Sequence, residues 1–147
     1  MAGTNTHVVT AVEIHGRSAS DSVQFKPLVE QTAANGFTIK EVTADKAYLS
    51  HDNMELVEKV SGTPYIPFKV NSVPGLAGSV WEKMYHFYAM NREDYMAKYH
   101  KRSNVESVFS MVKAKFGDSV MARGETAMKN EVLCKLLCHN ICCLIMS

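Results

Sequence analysis

Apolar residues along this chain fall into short groups punctuated by Gly, Pro, Asn and Ser, and their spacing predicts alternating strands and helices. His7 to Ile14 alternates well enough for a strand, entered by the turn Gly3-Thr4-Asn5-Thr6. Asp21 or Ser22 opens a turn into a helix that tolerates Pro27 in its first turn and stops near Gly36. Phe37 to Ala44 reads as the second strand, after the turn signal Asn35-Gly36. Ser50 to Val60 has the spacing of a helix closed by Ser61-Gly62. Pro64 to Phe68 is a short strand whose prolines suit a sheet edge. Asn71 to Ser79 is a loop, and Val80 to Phe116 is largely helical, with room for a break near Tyr99. After Gly117 a final helix runs roughly from Glu125 to Ile145. Strand, helix, strand, helix, strand, helix is the order of an α/β fold.

A chain of 147 residues is expected to form one domain with a real core, residues 124–147 being its carboxyl-terminal helix. The net charge of +1 removes overall charge as a nucleic-acid signal. Charge distribution restores one locally, because Lys98, Lys101, Arg102, Lys113 and Lys115 cluster in one stretch. No secretory or targeting signal is visible, so a cytoplasmic protein is expected. The apolar tail from Leu133 to Met146 is broken by Lys135, His139 and Asn140, too short and too polar to span a bilayer. No membrane is therefore expected as a partner.

All four cysteines lie in that tail, with Cys134, Cys138 and Cys142 at steps of four on one helix face and Cys143 beside them. Ligands spread along one helix cannot converge on a tetrahedral zinc ion, and disulfides at this spacing are badly placed. Free thiols packed as small buried hydrophobes are the expectation, with no metal.

The richest chemistry lies in Tyr99-His100-Lys101-Arg102-Ser103-Asn104-Val105-Glu106, running on to Lys113. On a continuous helix with Tyr99 at zero, Arg102, Glu106 and Lys113 fall near about 300°, 340° and 320°. A carboxylate, two cations and a phenol would share one stripe, beside an apolar stripe of Val105, Val108, Phe109, Val112 and Phe116. Such a carboxylate can hold a divalent metal while the cations hold phosphate oxygens. The plain alternative is a solvated charged edge. Asp45 follows the second strand, where open α/β sheets place ligands, although a helix cap or turn residue is the commoner role.

The spacing Tyr99-x2-Arg102-x3-Glu106-x6-Lys113 resembles the Tyr-(2)-Arg-(3)-Glu-(6)-Lys signature of the DDE transposases of bacterial and archaeal insertion sequences. All four signature positions match. Trp81-Glu82-Lys83-Met84 upstream and the run from Phe109 to Gly117 downstream fit as well, and Ala44-Asp45-Lys46-Ala47-Tyr48 resembles the segment carrying that family's second catalytic aspartate. The resemblance covers nearly the whole chain. It implies an α/β, ribonuclease H-like mixed sheet flanked by helices, here amino-terminally truncated. Met1 to Thr6 matches a hairpin, and the first catalytic aspartate and an amino-terminal DNA-binding region are expected to lie upstream of Met1.

The resemblance further implies metal-dependent strand cleavage and transfer with two Mg²⁺ (or Mn²⁺) ions. Asp45 and Glu106 would be the catalytic carboxylates and metal ligands. Arg102 and Lys113 would steady phosphates, Tyr99 would position the helix or DNA backbone, and Lys101 and Lys115 would add DNA contacts. Without the first aspartate the two-metal geometry should fail, and Glu13 or Asp21 is a poor stand-in because placement tolerates about an ångström of error. An open sheet edge would invite self-association. Trp81 has two readings, a stacking platform for a flipped base or a core anchor with Tyr85 and Phe87, and the anchor is favoured. His100 and His139 are structural by default.

Two functions remain. One is a DDE transposase domain acting on the double-stranded DNA of transposon ends, incomplete and inactive alone. The other is a catalytically dead remnant that binds DNA or pairs with full-length transposase.

Overall fold

The computed structural model describes residues 1–15 and 21–146, apart from the side chains of Asp21 and Ser22. Asp21 as an alternative acid therefore lies outside the described side chains. The chain forms two compact units, one of His15–Arg102, the other of Met1–Ile14 with Ser103–Ser147.

The first unit is an α/β arrangement around a small parallel sheet. A 3-10 turn, Asp21–Gln24, leads into α1 (Phe25–Ala34), with Pro27 in its first turn as expected. β1 (Glu41–Thr43) follows, then the 3-10 turn Lys46–Tyr48, α2 (His51–Lys59) and β2 (Thr63–Tyr65). The two strands pair in parallel, Glu41 opposite Thr63, Val42 opposite Pro64 and Thr43 opposite Tyr65. A helix between parallel strands is what that pairing requires. Val42 and Ala44 point into the core, so Glu41, Thr43 and Asp45 share the other face.

Local chemistry explains the helix ends. The Ser50 hydroxyl accepts from the Asn53 N–H (3.1 Å), and the Asn53 side chain donates to the Tyr48 carbonyl (2.8 Å). Behind α2, the left-handed residue is Ser61 (φ 62), not Gly62. Gly62 is small for another reason: a Cβ there would lie 3.0 Å from side-chain carbons of both Ile39 and Val57. Ser79 caps α3 (Val80–Met90) by accepting from the Glu82 N–H (3.2 Å), while Glu82 accepts from Gly78 (2.6 Å).

The core of this unit is aromatic. Met54, Tyr65, Phe68, Val80, Trp81, Met84 and Tyr95 are buried together, with Tyr85, Phe87 and Tyr88 packed against them. Trp81 is thus a core residue; its indole N–H donates to the Val73 carbonyl (2.9 Å) and its ring stacks on His51 at 3.8 Å. Tyr95, on α4 (Arg92–His100), is wholly buried, and its hydroxyl accepts from the Ile66 N–H (3.0 Å) and donates to the Ile66 carbonyl (2.9 Å). Burial pushes this phenol far above its usual pKa.

The second unit joins the first residues of the chain to α5 (Ser103–Phe116) and α6 (Glu125–Met146). The strand expected from His7 to Ile14 is not formed: the described residues there make one isolated antiparallel bridge, Ala2 with Val9. The reason is a substitute partner. The Asn140 amide accepts from the Val9 N–H and donates to the Val9 carbonyl, both at 2.8 Å, so a helix side chain supplies what a neighbouring strand would. The turn expected at Gly3 to Thr6 is present, its Gly3 N–H donating to the Val8 carbonyl (2.9 Å).

Val108, Val112 and Leu136 form the apolar centre, with Ala2, Val9, Val12, Phe116 and Val132 around it. Phe109, expected in the core stripe, is exposed. The cysteines also depart from expectation. They are free, but Cys134 and Cys138 are exposed, because α6 turns its Leu136–His139 face inward. His139 is buried, with Nε2 3.0 Å from the His7 carbonyl.

The wider mixed sheet expected from the sequence is not found among the described residues, where the named strands number two.

Candidate functional site

Asp45 sits immediately beyond β1, in extended conformation, at the head of the Lys46–Tyr48 turn. One carboxylate oxygen accepts from the Lys46 N–H at 2.7 Å, so the capping role weighed from sequence is real. The other lies 3.7 Å from an Arg102 guanidinium nitrogen, and the Asp45 side chain is 51% exposed. Arg102 also stands over the Tyr99 ring at 5.7 Å. Asp45, Tyr99 and Arg102 are thereby brought together, along the last turn of α4 and the residue pair that follows it.

Glu41, two pleats before Asp45 on the same strand face, binds the other cations of that turn. Lys98 donates to one Glu41 oxygen at 2.5 Å and Lys101 to the second at 3.3 Å. These bonds, the Lys98 one foremost, hold the Glu41 carboxyl below its ordinary value of 4.5 and raise the Lys98 ammonium. One acid on β1 and a second just beyond it thus face three cations in the last turn of α4 and the two residues after it, where the helix dipole also favours positive charge. Glu41 was missed in the sequence. Period two along the strand that ends at Asp45 was the signal that would have found it.

The single stripe of four signature residues is corrected by the backbone. α4 ends at His100, Lys101 and Arg102 form a turn bonded back to Lys98 (3.3 Å) and Tyr99 (2.9 Å), and α5 begins at Ser103. Ser103 and Asn104 favour helix starts over helix interiors, and the Asn104 amide donates to the Thr4 carbonyl. Tyr99, Lys101 and Arg102 therefore belong with Asp45, whereas Glu106, Lys113 and Lys115 lie on α5 in the second unit.

On α5, Glu106 and Lys113 are seven residues apart and share a face. Glu106 stands in the first turn, Lys113 and Lys115 in the last, and all three are exposed. Among the described residues no three His, Cys, Asp or Glu side chains are grouped to hold a metal ion. None of the described helices is long and apolar enough to cross a membrane.

No curated protein and no solved structure matches this chain. The family model of the transposase DDE domain does, over residues 1–141. That span holds every signature position and Asp45, and the chain belongs to the transposase DDE domain family.

Proposed function

We propose that this chain acts in DNA transposition as a ribonuclease H-like DDE domain that contributes Asp45 and Glu106 to a metal centre but does not complete one. Transposases of this family generally use divalent metal ions. Bound Mg²⁺ or Mn²⁺ would activate the attacking hydroxyl and stabilise the leaving oxygen of a phosphodiester. This chain would supply two of the three carboxylates that such a centre takes in the family it resembles, Asp45 and Glu106. No cleavage step is assigned to this chain alone. The proposed substrate is the double-stranded DNA of transposon ends, met in the cytoplasm, with Tyr99, Lys101, Arg102, Lys113 and Lys115 as backbone contacts.

The observation that carries the reading is the meeting of Asp45, Arg102 and Tyr99, three residues more than fifty positions apart at their extremes, within a family match that spans 1–141. The exposed cations Lys113 and Lys115 in the last turn of α5 also support a second reading, a DNA-binding remnant that does no chemistry and pairs with full-length transposase. A supercoiled-plasmid nicking assay with Mg²⁺ or Mn²⁺, run on the native chain and Glu106→Gln, tests both. The expected result is no metal-dependent nicking by either protein, with salt-sensitive DNA binding retained by both. Nicking by the native chain that vanishes in Glu106→Gln would overturn the incomplete-centre reading. Absence of DNA binding would overturn both readings.

A further inference from the structure

Lys98, in the last turn of α4, and Lys101, just past it, close on one acid. Each takes a different oxygen of Glu41, so a single carboxylate from β1 occupies both ammonium groups. Arg102, the next cation of the same turn, lies beside Asp45. Three positive charges thus meet two negative ones, and these five side chains keep a net charge of one. None of the five is sealed from water: side-chain exposure runs from 31% at Glu41 to 51% at Asp45.

We propose that Glu41 competes with DNA phosphate for Lys98 and Lys101, which makes Lys98 a further DNA contact and Glu41 an internal brake on DNA binding. The inference rests on the reading of this turn as a DNA contact, and it adds two residues to that reading.

A carboxylate and a phosphate offer an ammonium group the same chemistry, oxygens that share a negative charge. Glu41, holding both lysines through both of its oxygens, therefore takes the place that a backbone phosphate would take. Ion pairs open to water are weak, each shifting an equilibrium by no more than about fivefold. A phosphate contact gains in addition from the counterions it releases. DNA can therefore displace Glu41, but part of its affinity is lost in doing so. Holding the lysines in place does not require the acid, because the dipole of α4 already favours cations at that end.

The test is binding of the full chain, without metal, to a duplex of roughly 20 base pairs at salt from about 50 to 300 mM. Glu41→Gln should bind roughly threefold to tenfold tighter than the native chain at the lowest salt. Its log K should also fall more steeply with log salt, by about one in slope. Lys98→Gln added to Glu41→Gln should remove most of the gain. The control is Glu58→Gln, which removes the same charge from an acid paired with Lys83 (3.6 Å) between α2 and α3. It should change affinity by less than about twofold.

Weaker binding by Glu41→Gln overturns the proposal, since Glu41 would then orient the lysines for DNA. Equal affinity and slope overturn it, and so does a gain that survives the loss of Lys98. An equal gain in Glu58→Gln overturns it by reducing the effect to overall charge. In each of these cases DNA is still bound and the transposition reading stands, whereas no DNA binding by any of the proteins overturns both. Should Glu41→Gln lose its fold, the carboxyl carbon-13 signal of Glu41 in the native chain decides. The Lys98 bond foremost, then Lys101, holds that carboxyl below its ordinary value of 4.5, and Tyr65 of β2 also feels its charge. Its titration midpoint should rise when the duplex is added, because the lysines leave it for phosphate. A midpoint that DNA does not move overturns the proposal.

Discussion

Both units of this molecule use a helix side chain to finish the hydrogen bonding of an extended residue, in different surroundings. In one, the Tyr95 hydroxyl of α4 spans the N–H and carbonyl of Ile66. In the other, the Asn140 amide of α6 spans those of Val9. Tyr95 is wholly buried among Tyr65, Phe87 and Tyr88, with ring centroids 5.3, 5.7 and 5.1 Å away. Asn140 is half-buried beside a much thinner apolar centre. The same device should therefore differ in strength, because a polar group left without a partner costs most where water cannot replace it.

The largest effect is expected from Tyr95→Ala, which removes both the ring and the hydroxyl and should cost about 3–5 kcal/mol in urea unfolding. Tyr95→Phe isolates the hydroxyl. It leaves the Ile66 peptide groups dry and without their partner, at about 1–3 kcal/mol. Asn140→Leu should cost less, about 1 kcal/mol, since water can reach the half-buried Val9 groups. Amide hydrogen exchange at Ile66 and Val9 reads the two sites separately. Faster exchange at Val9 than at Ile66 in the native chain is expected. Equal loss of protection in the two variants would break the comparison and show that depth does not decide the cost.

The sequence was most legible where caps and spacing agree. Ser50 and Ser79 open their helices, Pro27 falls in a first turn, and Asp45 lies just past β1, although that strand keeps only Glu41–Thr43 of the expected Phe37 to Ala44. It was least legible where a partner from elsewhere in the chain decides. Alternation from His7 to Ile14 describes a strand-like segment, but nothing local says that Asn140 will take the neighbour's place. The cysteine row on α6 shows which thiols share a face, not which face meets the core; His139 and Leu136 won that contest. For the candidate site, Asp45, Tyr99 and Arg102 were singled out and do converge. The break allowed near Tyr99 falls at Lys101-Arg102, where a turn bonded to residues three back starts α5 afresh, so the four signature residues do not share the stripe of one continuous helix. Glu41 escaped because an exposed acid near a strand end looks like any other surface charge.

The smallest expected effect sharpens the comparison through pH. Each unit holds a carboxyl below its ordinary value of 4.5, Glu41 chiefly by the Lys98 bond and Glu131 chiefly by the Ala122 N–H. A depressed carboxyl contributes stability above its unfolded value, and that contribution is lost as pH falls through the folded one. Both contributions should therefore be intact at neutral pH and fade below about 4.5. Their physical origins differ, and salt separates them. Glu41 acts through ion pairs open to solvent, worth a few tenths to about 1 kcal/mol before screening and less at high salt. Glu131 acts largely through backbone donors of the segment before α6, Met121 at 2.9 Å and Ala122 at 2.7 Å, on which salt has little hold. Unfolding of Glu41→Gln should show a shallower loss between pH 5 and pH 3 than the native chain at low salt, and the two curves should merge in molar salt. A difference that persists in molar salt would mean that Glu41 works through packing of the Lys98 and Lys101 stems against β1, and that charge is not what holds the end of α4 beside Asp45.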